Sequence, residues 1–204
     1  MEKIKATRME YLKLKKRLKT ANRGYKLLKE KRDGLMKKFM EIVKETKSKR
    51  EELEEKMGQA GKEFAIATAP LLNQEIEEFF ALPTAKIELE AEKENVMSVW
   101  IPKFTHKITG SFKSYSNLSA PKGMEGALNK FWQALEVTIS LAGIEHSARL
   151  LSFEIEKTRR RVNALEYVII PEIQRNIKLI SAKLDEQERA EKIVRMKIKD
   201  MITA

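Results

Sequence analysis

IKATRMEYLKLKKRLKTANRGYKLLKEKRDGLMKKFMEI, residues 4–42, carries two interleaved seven-residue series. One passes through Ile4, Tyr11, Leu18, Tyr25, Arg32 and Phe39 and continues at Thr46, Leu53 and Ala60. The other passes through Thr7, Leu14, Ala21, Leu28, Leu35 and Ile42, after which Lys49 and Lys56 occupy the slot. Alternating steps of three and four, sustained over about six heptads, are the signature of a coiled-coil seam. Lys13, Lys15, Lys16, Arg17, Lys19, Arg23 and Lys26 lie between the series and form a wet, basic face. No proline interrupts before Pro70. A helix over residues 4–79 would extend about 110 Å at 1.5 Å per residue.

A second stripe runs through the C-terminal arm, from about Gly123 to Met201. It passes Phe131, Leu135, Thr138 and Ala142, then Leu151, Ile155, Thr158, Val162, Leu165 and Ile169. It resumes as Ile173, Ile177, Ile180, Leu184, Gln187, Glu191, Val194, Ile198 and Met201. Consecutive steps of four surround Pro171, so a stutter and a proline coincide. Both distort a helix locally, and the spacing predicts a helix that passes through Pro171 with a local irregularity. Each arm must bury its seam, and the simplest partner is the other arm, packed antiparallel. Facing residue numbers should then sum to roughly 200, with Phe39 near Leu165 and Leu18 near Leu184.

Between the arms the pattern changes. Leu82-Pro83 ends the first helical region, and Ala85–Glu92 (AKIELEAE) alternates with Ile87, Leu89 and Ala91 on one side. Val96–Ile101 (VMSVWI) follows the polar Lys93-Glu94-Asn95. This predicts a β-hairpin, stopped at Pro102, and then a loop over Thr109–Lys122. The expected fold is all-α dominated: a long antiparallel two-helix coiled coil with a small hairpin and loop in the middle. The expected division is 1–80, 81–122 and 123–204.

Composition narrows the function. The 204 residues hold 41 Lys/Arg against 30 Asp/Glu, a net charge of +11. Residues 1–62 hold 21 basic and 10 acidic residues, so all of the excess lies there. The absence of cysteine excludes disulfide scaffolds, thiolate metal sites and cysteine catalysis. The longest uncharged run, Phe64–Gln74, falls short of the roughly 20 residues a membrane helix needs. The string Gly58-Gln59-Ala60-Gly61-Lys62-Glu63 is too short for a phosphate loop, and Glu63 replaces its hydroxyl. His106 and His146 lie 40 residues apart without companions. The Glu51-Glu52, Glu54-Glu55 and Glu77-Glu78 pairs sit among lysines, as on solvated helix faces. No catalytic residue, metal site or cofactor is expected. The basic arm admits a nucleic-acid reading, but Tyr11, Tyr25 and Phe39 fall on the seam, where aromatics serve as core.

Three strings carry a resemblance. They are Thr7-Arg8-Met9 with Leu14–Leu18 (LKKRL) and Arg23–Asp33 (RGYKLLKEKRD); Glu156–Tyr167 (EKTRRRVNALEY) with Ile170-Pro171; and Lys183–Arg189 (KLDEQER). Together they are similar to the D subunits of the V-type and archaeal A-type rotary ATPases, in matching order and spacing across both arms. The resemblance implies a non-catalytic central rotor shaft that couples ATP hydrolysis or synthesis to ion translocation. Its implied partners are the A and B subunits of the catalytic hexamer, the small F subunit of the central stalk and a funnel-shaped component, called d or C, at the base. It implies a peripheral place on the cytoplasmic side of the membrane, with neither membrane insertion nor nucleic acid.

On that footing Lys13, Lys16, Arg17, Arg189, Lys192 and Arg195 are expected to face the hexamer. Lys157, Arg159, Arg160, Arg161, Asn163 and Glu166 are expected to border the F subunit, opposite roughly residues 38–48. Tyr11, Leu14, Leu18, Leu28, Leu35, Phe39, Val162, Leu165, Ile177 and Leu184 are the expected seam. The hairpin and loop are expected toward the base or side. The alternative reading is a free-standing basic coiled-coil adaptor or nucleic-acid-binding rod.

Overall fold

The computed structural model describes residues 6–81, 85–110 and 121–203. Ile4, the Leu82-Pro83 helix stop and residues 111–120 of the expected loop lie outside them. The element order is α1 (Arg8–Thr68), α2 (Asn73–Phe80), β1 (Lys86–Val96), β2 (Val99–Thr109), α3 (Met124–Ala164), a π-helical turn (Leu165–Ile169) and α4 (Ile170–Thr203). Among the described residues helices dominate, with one small antiparallel sheet between them in the chain order.

Two compact units result. One lies within Met1–Gly34 and Ile155–Ala204, and the other is Leu35–Glu154. In the first, Leu14, Ile173 and Ile180 form a buried cluster. Tyr11, Leu18, Ala21, Ile169, Ile177 and Leu184 pack around it. Leu18 and Leu184 therefore share one cluster, as the antiparallel register requires. Along the described part of α1, every position of the two heptad series from Tyr11 to Ala60 is buried or half-buried. Apolar contact along that line is what holds these helices in register.

The proline in α4 leaves a visible trace. Between Leu165 and Ile169 the helix widens to a π turn, where the Ile170 N–H donates to the Leu165 carbonyl five residues back. Pro171 has no N–H to offer, and one residue more than the heptad repeat must be absorbed here. A π turn does both, because it fits an extra residue into one turn. Ile173 and Ile180 consequently return to the buried face.

In the second unit α1 and α3 run antiparallel. Glu63 pairs with Lys130 and Arg50 with Glu145, so the facing numbers sum to 193 and 195. The Phe64 ring meets Phe131 edge-on at 5.9 Å and Phe80 at 6.2 Å. Two expectations are corrected here. The first helix does not continue to residue 79: it ends at Thr68 and α2 starts afresh at Asn73. Pro70 disfavours helical backbone at Ala69, and the Glu75 carboxylate accepts the Leu72 N–H at 2.9 Å to start the new helix. In α3, Thr138 and Ala142 are exposed while Ala134, Val137 and Leu141 are buried. The miss is confined to the first half of α3, which is covered from more than one side; farther along, Leu151, Ile155, Thr158 and Val162 are buried as the stripe predicts.

The hairpin is longer than expected, and its turn is elsewhere. Val96 pairs with Val99, so the turn is Met97-Ser98, while Lys93–Asn95 belong to β1. Both turn residues have positive φ, 50° and 71°. The Ser98 N–H donates to the Asn95 side-chain oxygen at 3.0 Å. Pro102 lies within β2 opposite Lys93 rather than ending the strand. In a two-stranded sheet each strand is an edge, where proline is tolerated. Left-handed backbone costs a non-glycine residue about 1–2 kcal/mol. Met97→Asn with Ser98→Gly, the preferred chemistry for such a turn, should therefore stabilise this unit by about 1 kcal/mol. Denaturant unfolding measures it; an unchanged midpoint refutes the assignment of strain to the turn.

β2 docks on α3. The Ser147 hydroxyl donates to the Gly143 carbonyl at 2.7 Å and lies 3.5 Å from the Pro102 carbonyl. A Cβ on Gly143 would sit 3.2 Å from the Phe104 ring, so glycine permits this close approach.

Candidate functional site

Among the described residues no group of three His, Cys, Asp or Glu side chains could hold a metal ion. None of their helices is long and apolar enough to cross a membrane. The candidate site is therefore built from the placement of its charges and exposed apolar groups.

The cations at the start of α1 and the end of α4 are on the outside. Lys13, Lys16, Arg17, Arg189, Lys192 and Arg195 are all exposed. Lys13 lies 3.9 Å from Glu10, and Arg195 lies 3.0 Å from Glu191, each one turn away. These are local ion pairs in water, which hold a side chain only loosely. The apolar positions of α4 beyond Leu184 are also uncovered. Val194, Ile198 and Met201 are 56%, 50% and 77% exposed, although they continue the seam's spacing.

The Glu156–Tyr167 string presents a mixed surface. Val162 is buried, 1% exposed, and Leu165 is half-buried. Lys157, Arg159, Arg160, Arg161, Asn163 and Glu166 are exposed. Arg160 bonds to Glu156 along its own helix. Tyr167 and Val168, at the π turn, are 71% and 57% exposed. A π turn rotates successive side chains by less than an α turn does, and this carries Val168 away from the buried face.

Of the expected seam, Leu14, Leu35 and Val162 are buried, while Tyr11, Leu18, Leu28, Phe39, Leu165, Ile177 and Leu184 are half-buried. The carboxylates that lie among lysines make ion pairs along α1. Lys56 donates to Glu52 at 2.8 Å, and Lys38 to Glu41 at 2.8 Å. Those hydrogen bonds, with the attraction of the lysine charge, hold both carboxyls below the usual carboxylate range. What such pairs add to stability is present above the ordinary carboxylate pKa and is lost as acid protonates them.

Comparison with known proteins supplies the family. The model of a family described as the D subunit of ATP synthase matches residues 10–200. The chain belongs to that family. A V-type ATP synthase D subunit from Thermoanaerobacter sp. (strain X514) is 42% identical over 201 residues, covering 98% of this chain and 96% of the relative. One from Acetivibrio thermocellus is 43% identical over 203 residues, covering 98% and 91%. One from Streptococcus pyogenes serotype M3 is 43% identical over 202 residues, covering 96% and 97%. These relatives thus match both helical arms and the hairpin between them in a single alignment. The TRRRVNALE string at Thr158–Glu166 falls within the matched range.

Sequence reasoning missed the exposed apolar residues that lie off the seam, among them Met36, Met40, Val43, Tyr167 and Val168. Their signal was in the sequence. Apolar residues beside the two heptad series widen the apolar face, and a two-stranded coil does not need that width.

Proposed function

We propose that this chain is the central-stalk rotor subunit of a V-type ATP synthase. It couples ATP hydrolysis or synthesis in a hexamer of A and B subunits to ion movement through the membrane ring. It transmits torque and performs no chemistry of its own. The supporting observation is the paired region of α1 and α4, sealed by Leu14, Ile173 and Ile180 and surrounded by exposed cations. A rotor element must hold itself together while making contacts it can release. A dry seam with a wet, charged exterior meets both needs, since exposed ion pairs contribute only about 0–1 kcal/mol each.

In this reading Lys13, Lys16, Arg17, Arg189, Lys192 and Arg195 meet carboxylates of the surrounding hexamer. The uncovered Val194, Ile198 and Met201 lie against its inner wall. Lys157, Arg159, Arg160, Arg161, Asn163 and Glu166 border the F subunit. The funnel-shaped component takes the base, and the complex sits peripherally on the cytoplasmic side of the membrane. The sequence and fold are compatible with either coupling ion.

Two measurements test this reading. Neutralising the six end cations to glutamine should lower rotation-coupled ATP hydrolysis several-fold in the assembled complex; unchanged coupling rejects the hexamer assignment. Changing Arg159, Arg160 and Arg161 to alanine should weaken capture of the F subunit about tenfold or more if two of the three make charged contacts. Equal capture would move that binding site elsewhere.

A further inference from the structure

The two strands of the hairpin have unlike outer edges. Met97-Ser98 is a two-residue turn, so Val96 and Val99 exchange both backbone hydrogen bonds and the pattern alternates from there along the ladder. The backbone groups of Ile87, Leu89, Ala91, Lys93 and Asn95 therefore point away from β2, and those of Trp100, Pro102, Phe104, His106 and Ile108 point away from β1. Two contacts agree with this phase. The Thr105 hydroxyl donates to the inward Glu90 carbonyl at 3.4 Å, and the outward Pro102 carbonyl lies 3.5 Å from the Ser147 hydroxyl of α3. The outer edge of β2 is closed, because α3 lies against it at Pro102 and Phe104 and Pro102 has no N–H to offer. The outer edge of β1 is open. Its residues are exposed apart from the half-buried Val96, and neither a proline nor a bulge interrupts its register.

The side chains of β1 alternate with the same period. Ile87 and Leu89 stand 40% and 59% exposed on one face. Glu88, Glu90, Glu92 and Glu94 stand on the other, where β2 supplies Lys103 and Lys107. Four carboxylates against two ammonium groups leave that face at −2, in a chain whose total is +11. An open edge of 11 residues is a template for another strand. A second copy of β1 fits it badly. Antiparallel pairing centred on Ala91 would set Glu90 against Glu92 and Glu88 against Glu94, and like charges directly opposite are destabilising.

We propose that β1 accepts, as a third strand, an extended segment of a separate polypeptide in which Lys or Arg alternates with apolar residues. Backbone hydrogen bonds to the five outward residues of β1 hold the segment, and its side chains set the specificity. Its cations stand beside Glu88, Glu92 and Glu94, and its apolar side chains cover Ile87 and Leu89. The choice of the assembled synthase for the test rests on the function proposed above.

In the purified complex, hydrogen exchange resolved to single residues should be at least about tenfold slower at the five outward amides of β1 than in the isolated full chain. The amides of Glu88, Glu90 and Glu92, already bonded to β2, should change far less. Strand pairing produces that alternation, and docking on side chains alone does not. The photoreactive residue p-benzoylphenylalanine in place of Leu89 should, on irradiation, join a segment with Lys or Arg at alternate positions. Leu89→Pro removes one outward N–H and leaves the bonds to β2 in place, as Pro102 does on the other strand. It should weaken retention of the joined polypeptide about tenfold or more. E88K with E92K should do the same without touching the backbone. Outward amides that exchange equally fast in chain and complex overturn the proposal. So do cross-links to a second copy or to a helix, and so does unchanged retention by either variant. Incorporation of the chain is scored separately, by its stoichiometry beside the A and B subunits, so failure of the strand pairing is distinguishable from failure of the rotor reading.

Discussion

Ile180→Asp is expected to cost at least about 4 kcal/mol and to open the pairing of α1 with α4. Ile180 has no exposed surface and packs with Leu14 and Ile173, ringed by Tyr11, Leu18, Ala21, Ile169, Ile177 and Leu184. Aspartate there loses the transfer free energy of the aliphatic side chain. It also places a carboxylate among groups that offer no charge or donor to satisfy it, apart from the tyrosine hydroxyl at the edge. The cluster has three buried members, of which Ile180 alone is fully enclosed, so it has little reserve with which to absorb the change. Hydrogen exchange should show lost protection over residues 11–21 and 169–184. The neighbouring Leu179→Asp is the control. Leu179 is 52% exposed, and its replacement should stay within about 0.5 kcal/mol of the parent. Equal effects at the two sites would mean that this seam does not hold the unit together.

Deleting Pro171 is expected to stabilise the same unit by about 1–3 kcal/mol. In the present sequence the apolar steps Leu165, Ile169, Ile173 and Ile177 are all fours. Removing one residue between Ile169 and Ile173 turns the middle step into a three and restores strict alternation from Leu151 onward. The helix then needs no π turn, every N–H in the stretch has an α-helical partner, and the seam keeps its phase. Pro171→Ala separates the causes: it returns the missing N–H but keeps the extra residue, so the π turn should persist and the gain should be smaller. Denaturant unfolding of both variants, with backbone chemical shifts at Leu165–Ile169, measures the difference. If the deletion destabilises the protein more than the substitution, the extra residue is not what the π turn absorbs.

These two experiments bear on the proposed role because the unit holding the π turn also carries the Arg159–Arg161 cluster and the end cations. A version without the turn would show whether torque coupling depends on that irregularity or only on the seam. Coupling that is unchanged after the deletion would leave the π turn as a solution to a phase problem.

The heptad seam of α1, the passage of the helix through Pro171 with a distortion, the antiparallel pairing and the presence of a central hairpin were all legible in the order of the residues. Each of these depends on near neighbours along the chain. A seven-residue period is written into one strand of sequence, and burying it requires only one partner with the same period. The position of the hairpin turn was not legible, because Met97 and Ser98 accept positive φ without being glycine or asparagine and give no turn signal. Nor was the buried face of the first half of α3, where α1, Phe64 and the hairpin press from different directions and Ala134, Val137 and Leu141 turn inward in place of Thr138 and Ala142, whereas Leu151, Ile155, Thr158 and Val162 farther along follow the stripe. Gly143 has the same origin: its lack of a side chain is needed because Phe104, far off in the sequence, comes to rest against it. Burial that depends on several distant neighbours leaves no period in the sequence, and for that reason only the folded chain reveals it.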